Sequence, residues 1–288
     1  MTLIDSHLHL WDPGQLHYRW LSDVPTLNKP HLPAQRADAG DIPDAAIVVQ
    51  ADCAVEQALD EVKWINQQAE HSPFPIAGIV AWAPLETGEA VVSHLRQLRA
   101  MPRVVGIRAS LQNEPDALMY DPPYRAGLLA VVREGFVLDL CVRAHQLPGV
   151  HQLLSWLYRQ HPDACVVLDH MGKPGIVSHA WQDWQRALGK LAAFPALRCK
   201  ISGLPTEADW QTWQAAQITP WIQYAIQVFG PRRCLFGSDW PVVNLAGGYA
   251  RWKACVEASI AALSPADRHA IMAGNAREVY LSQAEGGE

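Results

Sequence analysis

The chain has 288 residues, 49% of them apolar, and a formal net charge of −6 with acidic and basic residues mixed along its length. That is enough apolar sequence for a large core, while the absence of a basic tract or a single-sign block argues against a nucleic-acid partner and a charged tail. No apolar run approaches the roughly 18 residues of a membrane span and no basic segment leads into an apolar one at the N-terminus, so a cytoplasmic protein working away from membranes is expected. The six cysteines are scattered without a CxxC pair, mostly inside apolar runs, and read as reduced, buried thiols.

The first element is LIDSHLHL, from Leu3 to Leu10. As a strand, its alternation puts Ile4, Leu8 and Leu10 on one face and Asp5, His7 and His9 on the other. Two imidazoles two positions apart can reach the same small volume, as shared binding of a metal ion or of one substrate oxygen requires. A proline-containing polar and aromatic segment follows from Trp11 to about Asp44, a loop of the length that usually carries function. Next come the apolar run 45–52 and a helical stretch over 55–71. Further strands begin near Ile76, Val104, Val137, Cys165, Leu197 and Cys234, separated by amphipathic stretches over 88–101, 123–135, 147–160, 180–194 and 219–229. A helix is expected over 249–263, and Ser264 with Asp267 resembles a capping box opening a last helix to about Ala273.

Eight apolar strands, each followed by helix-like sequence at a spacing of about 30 to 40 residues, have the rhythm of an α/β fold of the (β/α)8 TIM-barrel type. A doubly wound open sheet uses the same alternation. The count of eight and the lack of a GxGxxG after an early strand favour the barrel. No linker, internal repeat or low-complexity tract interrupts the pattern, so 1–288 is expected to be a single domain.

Barrel enzymes place their chemistry at the C-terminal strand ends. Here those ends carry His7 and His9, Gln50, Trp82, Arg108, His170, Lys200 with Ser202, and Asp239. Closing the barrel sets strand eight beside strand one and brings Asp239 next to His7 and His9. Two hydrolytic chemistries fit. A divalent ion such as Zn²⁺ held by His7, His9 and Asp239 would polarise a carbonyl or acidify water. Alternatively, the imidazoles donate hydrogen bonds to a carbonyl oxygen while Asp239 acts as general base. A Schiff base on Lys200 is a weaker third reading.

LDHMGKP (168–174), KISGL (200–204) and FGSDWPV (236–242), with GIRASLQ (106–112) and GNAREVYL (274–281), resemble the amidohydrolase superfamily. The similarity is to its amidohydrolase-related branch, which contains sugar lactonases of the L-fuconolactonase and L-rhamnonolactonase type and a pyrone dicarboxylate lactonase. The resemblance implies that Asp239 activates water, that His7 and His9 bind a metal or polarise the lactone carbonyl, and that His170 contacts the carbonyl or the water. Two departures bear on the metal. Arg108 stands where binuclear members place a carboxylated lysine, and strand five, VLDLCVR, has no histidine before His145. No cofactor is therefore expected to be obligatory, with one divalent ion as the option.

The expected activity is hydrolysis of a sugar (aldono) lactone to its free acid. A metal-dependent decarboxylase, a pyrone dicarboxylate lactonase and a noncatalytic sugar-binding protein are the competing readings. Gln50, Arg108, Gln112, Lys173 and Lys200 are the candidates for binding substrate hydroxyls, and Trp20, Trp82 and Trp240 for stacking on the ring. The expected partner is a small sugar lactone, and a homo-oligomer is compatible with the sequence.

Overall fold

In the computed structural model, which describes residues 2–282, the strands are β1 (Ile4–Leu8), β2 (Ala45–Val49), β3 (Ile76–Ala81), β4 (Val104–Ser110), β5 (Val137–Cys141), β6 (Val166–Leu168), β7 (Leu197–Ile201) and β8 (Cys234–Phe236). They form one parallel sheet in chain order. Just past β8, Asp239 N–H donates to His7 O at 2.8 Å and His9 N–H to Trp240 O at 2.7 Å, which brings the last strand back against the first. The expected single (β/α)8 barrel is therefore the fold. Positions 1 and 283–288 of the expected domain lie outside the described residues.

The helices are α1 (Pro33–Asp38), α2 (Ala58–Glu70), α3 (Val92–Arg99), α4 (Pro122–Arg133), α5 (Leu147–Gln160), α6 (Trp181–Leu191), α7 (Ala215–Phe229), α8 (Gly248–Ile260) and α9 (Pro265–His269). Local chemistry sets their starts. The Asp121 carboxylate accepts from Tyr124 N–H to cap α4, whose first position is Pro122, where a missing N–H costs nothing. α7 begins four positions before the expected Thr219, because the Gln217 side chain accepts from Gln214 N–H at 2.8 Å and Pro220 sits inside the helix. Ser264 caps α9 as its spacing suggested. Beyond α9 the chain continues through two π-helical turns, Ala270–Gly274 and Arg277–Leu281, further than the expected end at Ala273.

Two apolar layers hold the barrel. The outer layer packs strands against helices, with Leu8, Val48, Ile79, Leu138 and Leu168 among its members. The inner layer comprises Ile4, Ile47, Val49, Val80, Val137, Val167 and Leu235, with Ala276, Val279 and Tyr280 of the C-terminal segment packed onto them. That segment closes the N-terminal mouth and is anchored by Asn275, whose side-chain amide donates to Cys234 O at 2.7 Å and Pro231 O at 2.8 Å. Burial of these side chains, at about 25 cal/mol per Å² of apolar surface, is the main force holding the ring shut.

The alternation expected for β1 is corrected by the structure. The pairing of β1 with β2 shifts register between Asp5 and Leu8, so Ile4 joins the inner layer while Leu8 and Leu10 join the outer one. Asp5 parts company with the histidines. Its carboxylate accepts from Ser238 N–H at 2.8 Å and pairs with Arg36 at 3.4 Å. A bulge is a common device beside barrel active sites, where it re-aims a side chain.

All six cysteines are unpaired. Among the described residues, no helix is long and apolar enough to cross a membrane.

Candidate active site

Four residues from three strand ends converge at the C-terminal mouth. His7 Nε2 lies 3.2 Å from His9 Nε2, and Asp239 Oδ1 lies 3.4 Å from His9 Nε2 and 3.8 Å from His7 Nε2. The His170 ring centroid is 4.5 Å from that of His7. His9 Nδ1 faces the Val49 carbonyl at 2.8 Å, so that nitrogen is the donor and Nε2 of the neutral ring presents a lone pair to the cluster. His170 Nδ1 is held by Ser202 Oγ at 2.9 Å, which aims its Nε2 edge at the cavity.

Unusual backbone places these side chains. His170, Met171 and Lys173 have φ of 52°, 53° and 48°, and Asp239 and Asp52 have 56° and 54°. Left-handed conformations cost L-residues of order 1–3 kcal/mol and persist where the surroundings impose them, typically at functional sites. Gly203 has a role of the opposite kind. A Cβ there would lie 2.5 Å from His170 Nδ1, so only glycine lets the ring rest against β7's end.

Beneath the histidines lies a layer of buried charge. The Lys200 ammonium donates to Asp139 Oδ2, and its Nζ is 3.1 Å from Asp169 Oδ1 and 3.2 Å from His7 Nδ1. Arg108 Nε donates to Asp169 Oδ2 at 3.3 Å, and Tyr280 hydroxyl donates to Asp139 Oδ1 at 2.7 Å. The two acids Asp139 and Asp169 balance the two bases Lys200 and Arg108. Burial works against the Asp169 charge, but Lys200 and His7 outweigh it and hold the carboxyl well below the usual carboxylate range. Burial pushes His7 and His170 well below the ordinary imidazole value, so both stay neutral. Asp239 is also ionised: burial alone would raise it, and His170, His9 and Lys173 bring it below its ordinary value. Asp239 therefore presents a carboxylate beside the imidazoles of His9 and His170.

That donor set fits a divalent ion. Bonds of about 2.0–2.2 Å in a tetrahedral site imply ligand atoms about 3.3–3.6 Å apart, close to the 3.2, 3.4 and 3.8 Å separations among His7, His9 and Asp239. His170 joins His7 and Asp239 in a second compact grouping, with ligand atoms within 4.8 Å of one another.

The cavity above this cluster has a volume of about 210 Å³. His9, His170 and Asp239 form its floor, and Trp11, Trp20 and Val242 are its apolar wall. Arg108, Gln112, Asn113, Lys173, Asp52 and Thr206 supply its polar side. Of the expected substrate-binding residues, the structure brings Trp20, Arg108, Gln112 and Lys173 to this cavity and leaves four elsewhere. Lys200 is fully buried in the charge layer below. Trp82 packs edge-on against His94, and Trp240, 2% exposed, against His31. The Gln50 side chain is occupied with Asp52, accepting from its N–H at 2.6 Å and donating to its carboxylate at 3.0 Å. His7 lies under His9 and does not line the cavity. Asp52, Trp11, Asn113 and Thr206 were not expected there, nor were Asp139 and Asp169 below. A lone acid in the otherwise apolar run VLDLCV was the readable signal for Asp139.

A family profile described as Amidohydrolase matches residues 4–281. The chain belongs to the amidohydrolase family. It is 32% identical over 295 residues to a protein named L-fucono-1,5-lactonase from Burkholderia multivorans, covering 96% of this chain and 95% of that one. Among solved structures, an amidohydrolase from Burkholderia multivorans with bound zinc superimposes with a TM-score of 0.84 at 32% identity, covering 97% of this chain and 99% of that one. A 2,6-dihydroxybenzoate decarboxylase from Rhizobium, 16% identical with a TM-score of 0.64 and coverage of 99% and 100%, shares the fold. Arg108, near the end of β4, is bound to Asp169 in the charge layer.

Proposed function

We propose that this amidohydrolase is a lactonase that opens a neutral sugar (aldono) lactone to its free acid. The observation that carries the proposal is the juxtaposition of ionised Asp239 with His9 and His170 on the floor of a small cavity whose wall is part tryptophan and part hydrogen-bonding groups. Similarity to a fucono-lactonase over nearly the whole chain supports the same reaction class.

In this mechanism Asp239 accepts a proton from water as the water oxygen attacks the ring carbonyl. His170, with Nδ1 accepting from the Ser202 hydroxyl, donates from Nε2 to the carbonyl oxygen and polarises it. Fixed donors of this kind contribute about 3–4 kcal/mol each to stabilising an oxyanion. When the ring C–O bond breaks, Asp239 returns its proton to the departing alkoxide, leaving the free carboxylic acid. A divalent ion bound by His7, His9 and Asp239 would supply Lewis acidity toward the same carbonyl. Trp20 is the ring-facing surface, while Asp52, Gln112 and Lys173 meet substrate hydroxyls. The exposed Asp52 carboxylate disfavours a doubly anionic substrate, which sets this reading above the pyrone dicarboxylate one.

A pH-indicator screen of aldonolactones and carboxylated lactones, run with and without chelator, tests the proposal. Acid release from one or more neutral lactones is the expected result. Turnover confined to carboxylated lactones, or none on any lactone, would overturn it.

A further inference from the structure

His7 Nδ1 stands between a donor and an acceptor, Lys200 Nζ at 3.2 Å and Asp169 Oδ1 at 3.3 Å. A neutral imidazole carries one proton, and the partner of one nitrogen decides the state of the other. If Lys200 donates to Nδ1, the ring proton is on Nε2 and points at His9 Nε2, 3.2 Å away. His9 can accept it, because its own proton goes to Val49 O. The chain Lys200 to His7 to His9 to Val49 O then satisfies all four ring nitrogens with no ion present. If Asp169 instead accepts from Nδ1, both Nε2 atoms are bare and face Asp239, as coordination of a cation requires.

The structure carries a mark of each state. The Lys200 contact with Nδ1 has hydrogen-bond geometry. Asp169 Oδ1, fully buried, is paired with the Lys200 ammonium at 3.1 Å and lies 3.3 Å from His7 Nδ1, within reach of a proton placed there.

We propose that Lys200 and Asp169 act as a two-way selector on His7, with Lys200 holding the tautomer of the metal-free site and Asp169 that of the metal-loaded site. Both are positioning residues, acting on the cavity only through His7. The switch moves one proton from Nε2 to Nδ1 of the same ring, and the protein neither gains nor loses charge. This inference rests on the lactonase reading for the meaning of turnover and is independent of it for metal binding.

The decisive measurement is ¹⁵N-histidine NMR of the native protein, chelator-treated and then loaded with Zn²⁺. The His7 proton should reside on Nε2 without zinc and on Nδ1 with it. The same tautomer in both states, or no zinc binding, overturns the proposal. Zinc affinity, measured by competition with a chromophoric chelator, is the second readout. Removing an outer partner of a metal-bound histidine typically changes affinity by about 10–100-fold. Asp169→Asn should therefore weaken zinc by about that factor. Lys200→Met, or Asp139→Asn/Lys200→Met if the single variant does not fold, should strengthen zinc binding and make residual turnover chelator-sensitive. Equal or same-direction shifts in the two affinities overturn the selector. A lactone screen that fails while these shifts appear counts against the proposed substrate alone.

Discussion

The Ser202 hydroxyl and His170 Nδ1 meet at 2.9 Å across the ends of β7 and β6, and this contact fixes the edge that His170 turns to the cavity. Gly203, next in sequence, leaves room for the ring. Gly203→Ala should be far more harmful than a methyl group suggests. The new Cβ would lie 2.5 Å from His170 Nδ1, and the backbone has φ of +67°. A stability loss of about 1–3 kcal/mol is expected from the backbone strain and clash. Denaturant titration would show it, with a fall in kcat larger than the change in KM. Unchanged turnover would mean that the orientation of His170 is immaterial.

Asp239→Asn removes the base while keeping the shape. General-base catalysis is worth about 10²–10⁴-fold, so kcat should drop by that order with KM little changed. Stopped-flow acid release on the best lactone from the screen is the measurement. A variant within a few fold of native would rule out Asp239 as the proton acceptor.

The acidity of Asp239 sets a pH dependence. Its native value is depressed, so the working carboxylate is present above the ordinary carboxylate range and is lost only as pH falls through the lower native value. His170, pushed down by burial, is neutral at the ordinary imidazole value and above. Accordingly kcat/KM should stay level from neutrality to about pH 4, the region of an ordinary aspartate. An acid limb centred near pH 6 would point to a histidine as the controlling group.

Gln50 and Asp52 should separate by magnitude. Asp52 lines the cavity, and Gln50 only clamps it through two hydrogen bonds. Hydrogen bonds to a charged group are worth about 1.5–3 kcal/mol, so Asp52→Asn should raise KM for a polyhydroxylated lactone about 10-fold or more. Gln50→Ala should raise it by a smaller factor, with kcat close to native in both variants. Initial rates over a concentration series decide, and the reverse ranking would assign the contact to Gln50.

Much of this was readable in the chain because barrel topology converts strand order into neighbourhood. Eight runs at a regular spacing imply that the first and last strands touch, and His7, His9 and Asp239 come together from that fact alone. What could not be read was the direction of side chains where the backbone departs from regular geometry. The register shift in β1 turned Asp5 away from the histidines. The left-handed residues Asp52, His170 and Lys173 aimed their side chains in ways that period-two counting does not describe. Lys200 was misplaced for a different reason. It follows strand alternation, but its depth along β7 puts it below the cavity floor, where Asp139 and Asp169 neutralise it. Trp82 and Trp240 were plausible by position and were claimed by packing against His94 and His31.

The hydrogen bonds between His7 and Asp239 and between His9 and Trp240 span residues more than two hundred positions apart. Asp239 and the His7–His9 pair thus sit on opposite lips of the joint that closes the ring. An open ring would keep its other seven strand pairings and much of its helical layer, yet would have no active site. Lactone turnover should consequently disappear before bulk ellipticity as the protein is loosened, making the reaction a gauge of whether the joint is shut.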